Sequence, residues 1–401
     1  MLTYPEALER LLSAVLPVDE VRRLPLAAAA GRVLAEAQVA TVNVPPLDNS
    51  AMDGYALRLA DVPAPGVCLP VSQRIPAGSV GQPLEPGSVA RIFTGAPVPP
   101  GADAVVMQER CEPCAAGVLI QHQPRAGENI RRAGEDMAAD REVLPAGILL
   151  RPQELAVAAA AGLAELPVRR RLRVALFCTG DELHLPGQPL PPGGIYNSNQ
   201  FALQALLEGL GCEVRNLGLV PDALDATRAA LREAAQGNDL ILTSGGVSVG
   251  EEDHVKPAVE AEGSLDLWKI AIKPGKPLAF GQVRSATGQA WFVGLPGNPV
   301  SSFVTFLMLV RPFIRKLQGL ASTAPGSYRL PAGFSWEKDS PLHEFLRARR
   351  NGAGQLELHG HQGSGVLTSL IHSEGLVLKP PHALIQPGDP VEFFPFTELL
   401  A

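Results

Sequence analysis

The first apolar rhythm along the chain has helical spacing: within Thr3–Leu16, Leu8, Leu11, Leu12 and Val15 fall on one side, while Glu6, Glu9 and Arg10 lie elsewhere. Leu26–Ala37 predicts a second helix. After Asp53 the rhythm shortens to apolar runs such as Val67–Val71, Val89–Thr94 and Ala104–Gln108, cut by Glu85-Pro86-Gly87 and Pro99-Pro100-Gly101. About ninety residues therefore read as β-rich. Helical texture returns at Gln153–Leu166, so the β-rich part reads as an insertion into a helical domain that closes around it.

From Arg171 strands alternate with helices: Leu172–Cys178, helix Asn199–Leu210, Glu213–Leu219, helix Leu224–Ala235 and Asp239–Thr243. That alternation predicts a doubly wound parallel sheet. Strands at Leu278–Phe280 and Ala290–Gly294 lead to a long apolar helix, Val300–Leu317, and beyond Gly319 the pattern is strand-like with turns at Asn351-Gly352 and Pro387-Gly388-Asp389. The predicted fold class is multidomain α/β plus β. Its parts are a helical N-terminal domain from residues 1–53 and 138–170, a β-rich insert over 54–137, a doubly wound parallel-sheet domain over 171–320 and a small C-terminal β barrel over 321–401.

Hydrophobic residues at 46% and charged residues at 19% suffice to offset ordering entropy, which excludes global disorder. A formal net charge of −7 argues against nucleic acid or an anionic membrane surface as the main partner, so an anionic ligand needs a local basic pocket. The longest apolar stretches, Leu155–Ala164 and Phe303–Val310, fall short of the about 20 residues that span a bilayer, and Glu6 and Glu9 stand where a signal peptide is basic. A cytoplasmic location is expected. Five scattered cysteines do not suggest a disulfide framework, and Cys111-Glu112-Pro113-Cys114 has no second pair to complete a zinc site.

Open parallel sheets bind ligands beyond the C-terminal ends of their strands, which nominates a short set of loops. Thr179-Gly180-Asp181-Glu182 brings two carboxylates, and the glycine-rich Thr243–Gly250, with Asp253 after it, offers N–H groups and hydroxyls to a phosphate or other oxyanion. A plain strand-to-helix turn would read the same way. Lys273-Pro274-Gly275-Lys276-Pro277 is sharper, because two ammonium groups on a backbone stiffened by proline can face one small anion. In Gly294–Pro299, Asn298 is a good N-cap and Pro299 a good first helical residue. Asp48–Gly54 and Gly134-Glu135-Asp136 add acidic turns at the edges of the insert, and carboxylates beside lysines would suit Mg²⁺ bridged to a phosphate. His359 and His361 alternate along an expected strand and would share a face.

Taken together, Pro45–Ala56, Thr179–Leu183, Thr243–Gly250 with Asp253 and Lys256, Lys273–Pro277, Gly294–Ser301, Phe345-Leu346-Arg347 and His361–Gly365 resemble the MoeA family of molybdopterin molybdenumtransferases, which includes the E domain of gephyrin. The resemblance implies Mg²⁺-dependent cleavage of adenylylated molybdopterin with insertion of molybdate, giving molybdenum cofactor and AMP. It further implies Asp222, Asp253 and Glu182 for Mg²⁺ and its waters, and Thr243, Ser244, Gly245, Gly246, Ser248 and Gly250 for the nucleotide phosphate or pterin. Lys273, Lys276, Arg347 and Ser364 would take molybdate, with Lys269, Pro296 and Pro299 in motifs around the pocket. Asp53, Thr94 and Asp136 would reach it from the other subunit of a homodimer.

The chain departs from the family at Leu47, where phenylalanine is common, and at His372-Ser373-Glu374-Gly375, where the family has an Ala-Asn pair. Unlike its eukaryotic relatives the protein is expected to act without a fused adenylyltransferase module, with a separate molybdopterin adenylyltransferase as the upstream partner. Two other readings stay open at this level: an adenylyltransferase built on the same kind of sheet, and a non-catalytic scaffold of the gephyrin type.

Overall fold

The structure is a computed structural model that describes residues 1–247, 254–286 and 288–400. Helix α1 (Tyr4–Ser13) opens with a Thr3–Glu6 capping box and buries Ala7 and Leu11. The central sheet holds β1 (Arg173–Thr179), β2 (Glu213–Val220) and β3 (Leu240–Ser244), with α2 (Asn199–Gly209) and α3 (Leu224–Ala234) as crossovers. After α4 (Val255–Glu262), β4 (Gly263–Lys269) runs to the short β5 (Ile272–Lys273), β6 (Pro277–Ser285) and β7 (Gly288–Leu295). Strand order is β2-β1-β3-β7-β6-β4, parallel from β2 to β7 and antiparallel at β6 and β4. The doubly wound sheet read from the alternation is present, and an antiparallel edge extends it.

The long apolar helix is present too, as α5 (Pro299–Thr305), a π-turn at Phe306–Val310 and α6 (Arg311–Leu317). Beyond it, β8 (Tyr328–Pro331), β9 (His343–Arg350), β10 (Leu356–Leu358), β11 (Gly375–Lys379) and β12 (Pro390–Pro395) form a second sheet. Its order is β5-β9-β11-β12-β8, so a two-residue strand from the central domain supplies one edge. One apolar core runs through both: Ala7 and Leu11 of α1, Leu176 and Leu242 of the central sheet, Phe306 and Phe313 of the long helix, and Phe345 and Leu376 of the second sheet belong to one buried cluster.

The insert has a four-stranded sheet, Val71–Ile75, Val89–Ile92, Gly54–Leu57 and Ala104–Met107, beside a three-stranded one of Val67–Leu69, Gly117–Ile120 and Cys111–Cys114. Pro70 breaks the expected Val67–Val71 strand, since it cannot donate to a ladder, and the two pieces join different sheets. Pairing also overrides helical texture in the N-terminal region. The helix expected at Leu26–Ala37 stops at Ala29, because Val33 and Leu34 bridge to Leu149 and Val168. The one expected at Gln153–Leu166 ends at Ala160, and Glu165–Arg169 pairs antiparallel with Val21–Pro25.

Three further readings need correction. Cys68 and Cys114, with Cα atoms 6.6 Å apart, form a disulfide; Cys111, Cys178 and Cys212 are free. His359 and His361 lie in a loop past β10, where His359 stacks on His372 with ring centroids 6.1 Å apart. Asn298 occupies the N-cap of α5, yet its side chain makes no capping bond. Among the described residues no helix is long and apolar enough to cross a membrane.

Truncating Leu11, 1% exposed against the long helix, should cost about 2–5 kcal/mol through lost burial and a residual cavity. Leu11→Ala should lower the urea midpoint followed by fluorescence of Trp268 and Trp291, which share that core. An unchanged midpoint would place α1 outside it.

Candidate functional site

The C-terminal ends of β1, β3 and β7 open toward the second sheet, and a cavity of about 770 Å³ lies between the two. The central sheet contributes Thr179, Gly180 and Glu182 after β1, Asp222 after β2, Gly245 and Gly246 after β3, and Pro296 to Asn298 after β7. The Lys273–Pro277 loop, which enters β6 beside the end of β7, also lines it, as do Lys338, Ser340, Gln362 and Ser364 from the C-terminal part of the chain. Carboxylates thus line one part of the cavity and ammonium groups another.

Glycine is required in both loops. Gly245 has φ +98 with Thr179 beneath it, and Gly275 has φ +101 with the Thr305 hydroxyl where a Cβ would stand. Each loop therefore presses its backbone against the sheet or helix and presents the neighbouring groups outward. The Thr179, Thr243 and Thr305 hydroxyls are buried there without hydrogen-bond partners among the described residues. Ser244, 2% exposed, donates to the Pro296 carbonyl at 3.1 Å and accepts from Asn199 at 2.8 Å, so it locks β3 to the turn after β7.

Lys273 projects from β5 with its side chain 43% exposed, and its Nζ lies 3.5 Å from the buried Glu344 carboxylate. Lys276 and Lys338 are exposed at the rim. Ser364 is carried by a loop docked on α5, whose Val300 N–H donates to the Ser364 carbonyl at 3.0 Å. Glu182 and Asp222 supply only oxygen donors, which suits a hard cation such as Mg²⁺. Among the described residues no three His, Cys, Asp or Glu side chains cluster tightly enough to form a metal site by themselves.

Three stretches of the chain match family models: residues 2–162 the MoeA N-terminal region (domain I and II), 175–316 a probable molybdopterin binding domain, and 329–396 the MoeA C-terminal region (domain IV). A protein of Haemophilus influenzae named molybdopterin molybdenumtransferase is 41% identical over 408 residues, covering 100% of both chains. Its namesake in Nostoc is 42% identical over 366 residues, covering 88% of this chain and 83% of the other. The crystal structure of the molybdopterin biosynthesis MoeA protein of Pyrococcus horikoshii superposes with a TM-score of 0.87 at 28% identity, covering 98% of this chain and 100% of that one. The chain belongs to the MoeA family.

Of the residues that the MoeA resemblance nominated, Glu182, Asp222, Gly245, Gly246, Lys273, Lys276, Pro296 and Ser364 line the cavity. Ser244 and Pro299 line an adjoining hollow of about 340 Å³ behind Gly245 and Gly297, together with Asn197 and Asn199. Ser248, Gly250 and Asp253 lie outside the described residues. Thr243, fully buried in β3, does not line the cavity, and neither do Lys269 and Arg347. Lys269 is exposed at the end of β4, where its backbone pairs with Pro277.

Arg347 is 1% exposed; it donates to the Gly363 carbonyl at 3.1 Å and the Ser369 hydroxyl at 3.2 Å. It supports the Gln362–Ser364 loop from beneath, and burial pushes its guanidinium down to about 10. Sequence reasoning missed Lys338 and Ser340 and quoted Gln362 only within the His361–Gly365 motif, for a physical reason: the second sheet meets the cavity through loops whose neighbours there are remote in sequence.

Asp53, Thr94 and Asp136 do not line this cavity within one chain. Asp53 accepts from the Thr94 N–H at 2.8 Å and from its hydroxyl at 2.7 Å, while Asp136 is exposed and its N–H donates to the Val44 carbonyl at 3.0 Å. The Thr94 N–H, then its hydroxyl, hold the Asp53 carboxyl below the usual carboxylate range. A depressed folded value means that this contact stabilises the fold above the unfolded pKa of about 3.9 and fades as pH falls through the folded one. Thr94→Val removes the hydroxyl and keeps the N–H, so Asp53 should titrate higher than in the unsubstituted protein but still below the ordinary range. Selective carboxyl-carbon NMR titration reads this, and an unchanged midpoint would contradict the assignment.

Proposed function

We propose that the chain is a molybdopterin molybdenumtransferase, placing molybdate in the dithiolene of adenylylated molybdopterin and releasing AMP. The observation that carries this is the charge division of the cavity: Asp222 and Glu182 line it after β2 and β1, and Lys276 lines it at the start of β6, beyond the Gly245-Gly246 turn in the strand order, with Lys273 and Lys338 also in the lining. The lysines and the Ser364 hydroxyl hold the molybdate dianion, each charge-assisted contact contributing about 1.5–3 kcal/mol. The Gly245-Gly246 turn after β3 takes the adenylyl phosphate or the pterin end. Glu182 and Asp222, with Asp253, hold Mg²⁺ through its waters, and that ion supplies charge neutralisation at the phosphate when bound.

Asp53, Thr94 and Asp136 serve the pocket of a second subunit in a homodimer, which accounts for three nominated groups distant from the cavity of their own chain. The locked Asp53 carboxylate is ready to accept a hydrogen bond or a metal-bound water there. The adenylylated substrate comes from a separate molybdopterin adenylyltransferase, and both enzymes work in the cytoplasm.

The test mixes two inactive homodimers, Asp53→Asn and Lys276→Gln, under subunit exchange and follows AMP release from adenylylated molybdopterin with molybdate and Mg²⁺. In the mixed dimer one pocket carries both lesions and the other neither, so turnover should recover to about half the wild-type rate per mixed dimer. Verified exchange without recovery would exclude the shared pocket. Absence of AMP release by the unsubstituted protein would overturn the activity itself.

A further inference from the structure

Lys273, Glu344 and Lys379 form a row across three adjacent strands: Lys273 of β5 stands in register with Glu344 of β9, and Glu344 with Lys379 of β11. Glu344 is 1% and Lys379 0% exposed. The Glu344 carboxylate lies 3.5 Å from Lys273 Nζ and 3.9 Å from Lys379 Nζ. Among the described residues neither of its oxygens, nor the Lys379 ammonium, has a hydrogen bond. A buried charge pair held without hydrogen bonds is a poor source of stability, since apolar side chains of similar volume would serve the sheet at least as well. Its geometry, however, reaches the cavity through Lys273, the one member of the row that lines it.

We infer that Glu344 is a positioning residue for Lys273 and that Lys379 is its counter-charge. A lysine on a flexible stem is a mobile point charge, and a fixed carboxylate beside it narrows where the ammonium can sit. A lone carboxylate at that distance would also cancel the positive charge offered to an oxyanion. Lys379 neutralises Glu344 from the far side, so the row keeps one net positive charge, located at the cavity. The second sheet thereby sets the anion site without touching the ligand through these two residues.

This rests on the reading of Lys273 as a molybdate ligand, and the experiment separates the two. Molybdate affinity is measured by equilibrium dialysis on the unsubstituted protein, on Lys273→Gln, on the pair variant Glu344→Gln/Lys379→Met and on the triple variant. The pair variant removes both buried charges together, so no uncompensated ion remains in the sheet, and its thermal transition verifies folding. Lys273→Gln should weaken binding about tenfold or more, and the pair variant several-fold. In the Lys273→Gln background, loss of the pair should change affinity less than about twofold, because the lesion acts through a group already gone.

Equal losses in both backgrounds, or an unchanged affinity of the pair variant, would overturn the inference while leaving the lysine site intact. Unchanged binding by Lys273→Gln would overturn the site reading and the positioning role with it. Should the pair variant fail to fold, Glu344→Asp answers the same question. It keeps the buried charge and draws it back by one methylene, so molybdate should bind more weakly with Lys273 present and not with Lys273→Gln.

Discussion

The whole site depends on a two-residue pairing, Ile272 and Lys273 of β5 against His343 and Glu344 of β9. The His343 N–H donates to the Ala271 carbonyl at 2.8 Å at the same junction, and Tyr4 of α1 packs edge-on against Phe345 with centroids 5.3 Å apart. Two sheets that would otherwise be separate share an edge strand and one apolar core. Because β5 belongs to the central domain and pairs with the second sheet, the cleft between the sheets is closed on one side and its lysines are held over the strand ends. The part of the ligand site that one chain supplies is thus built by contacts that folding already makes.

Within that frame, charge is sorted by position along the cavity. The turns after β1 and β2 bring Glu182 and Asp222, while the strand-to-strand loop at Lys273–Pro277 and the second sheet bring lysines and hydroxyls. Glycines at 245 and 275 let both loops lie flat, and the loop bearing Gln362 and Ser364 is tied down by Arg347 from below. A dianion and a divalent cation can therefore share one cavity of about 770 Å³, each facing side chains of opposite sign.

Much of this was legible in the sequence where local signals decide the outcome. Helical and strand periodicities located β1, β2, β3, β7 and the long helix to within about two residues, whereas α1 ends at Ser13 short of the expected Leu16, β6 runs on to Ser285 past the expected Phe280, and β4 carried no recognised signal. The glycine and lysine loops fell where strand ends in open sheets place them. Local texture misled where distant pairing won: Val33 and Leu34 look helical but bridge to Leu149 and Val168. The same limit hid Lys338 and the Lys273–Glu344–Lys379 row, the latter brought together by register across strands and by nothing in its spacing. Arg347 shows the converse. Its motif was read as a ligand, and the structure gives its donors to Gly363 and Ser369.

The lysine loop and Ser364 together are expected to bind a tetrahedral oxyanion. Crystals of the protein soaked with molybdate, Mg²⁺ and AMP, with diffraction collected at the molybdenum absorption edge, locate that ion directly. The account expects one strong anomalous peak per cavity, within hydrogen-bonding distance of Lys273 or Lys276 and of the Ser364 hydroxyl. A peak confined to other surface lysines, or an empty cavity at saturating molybdate, would contradict it.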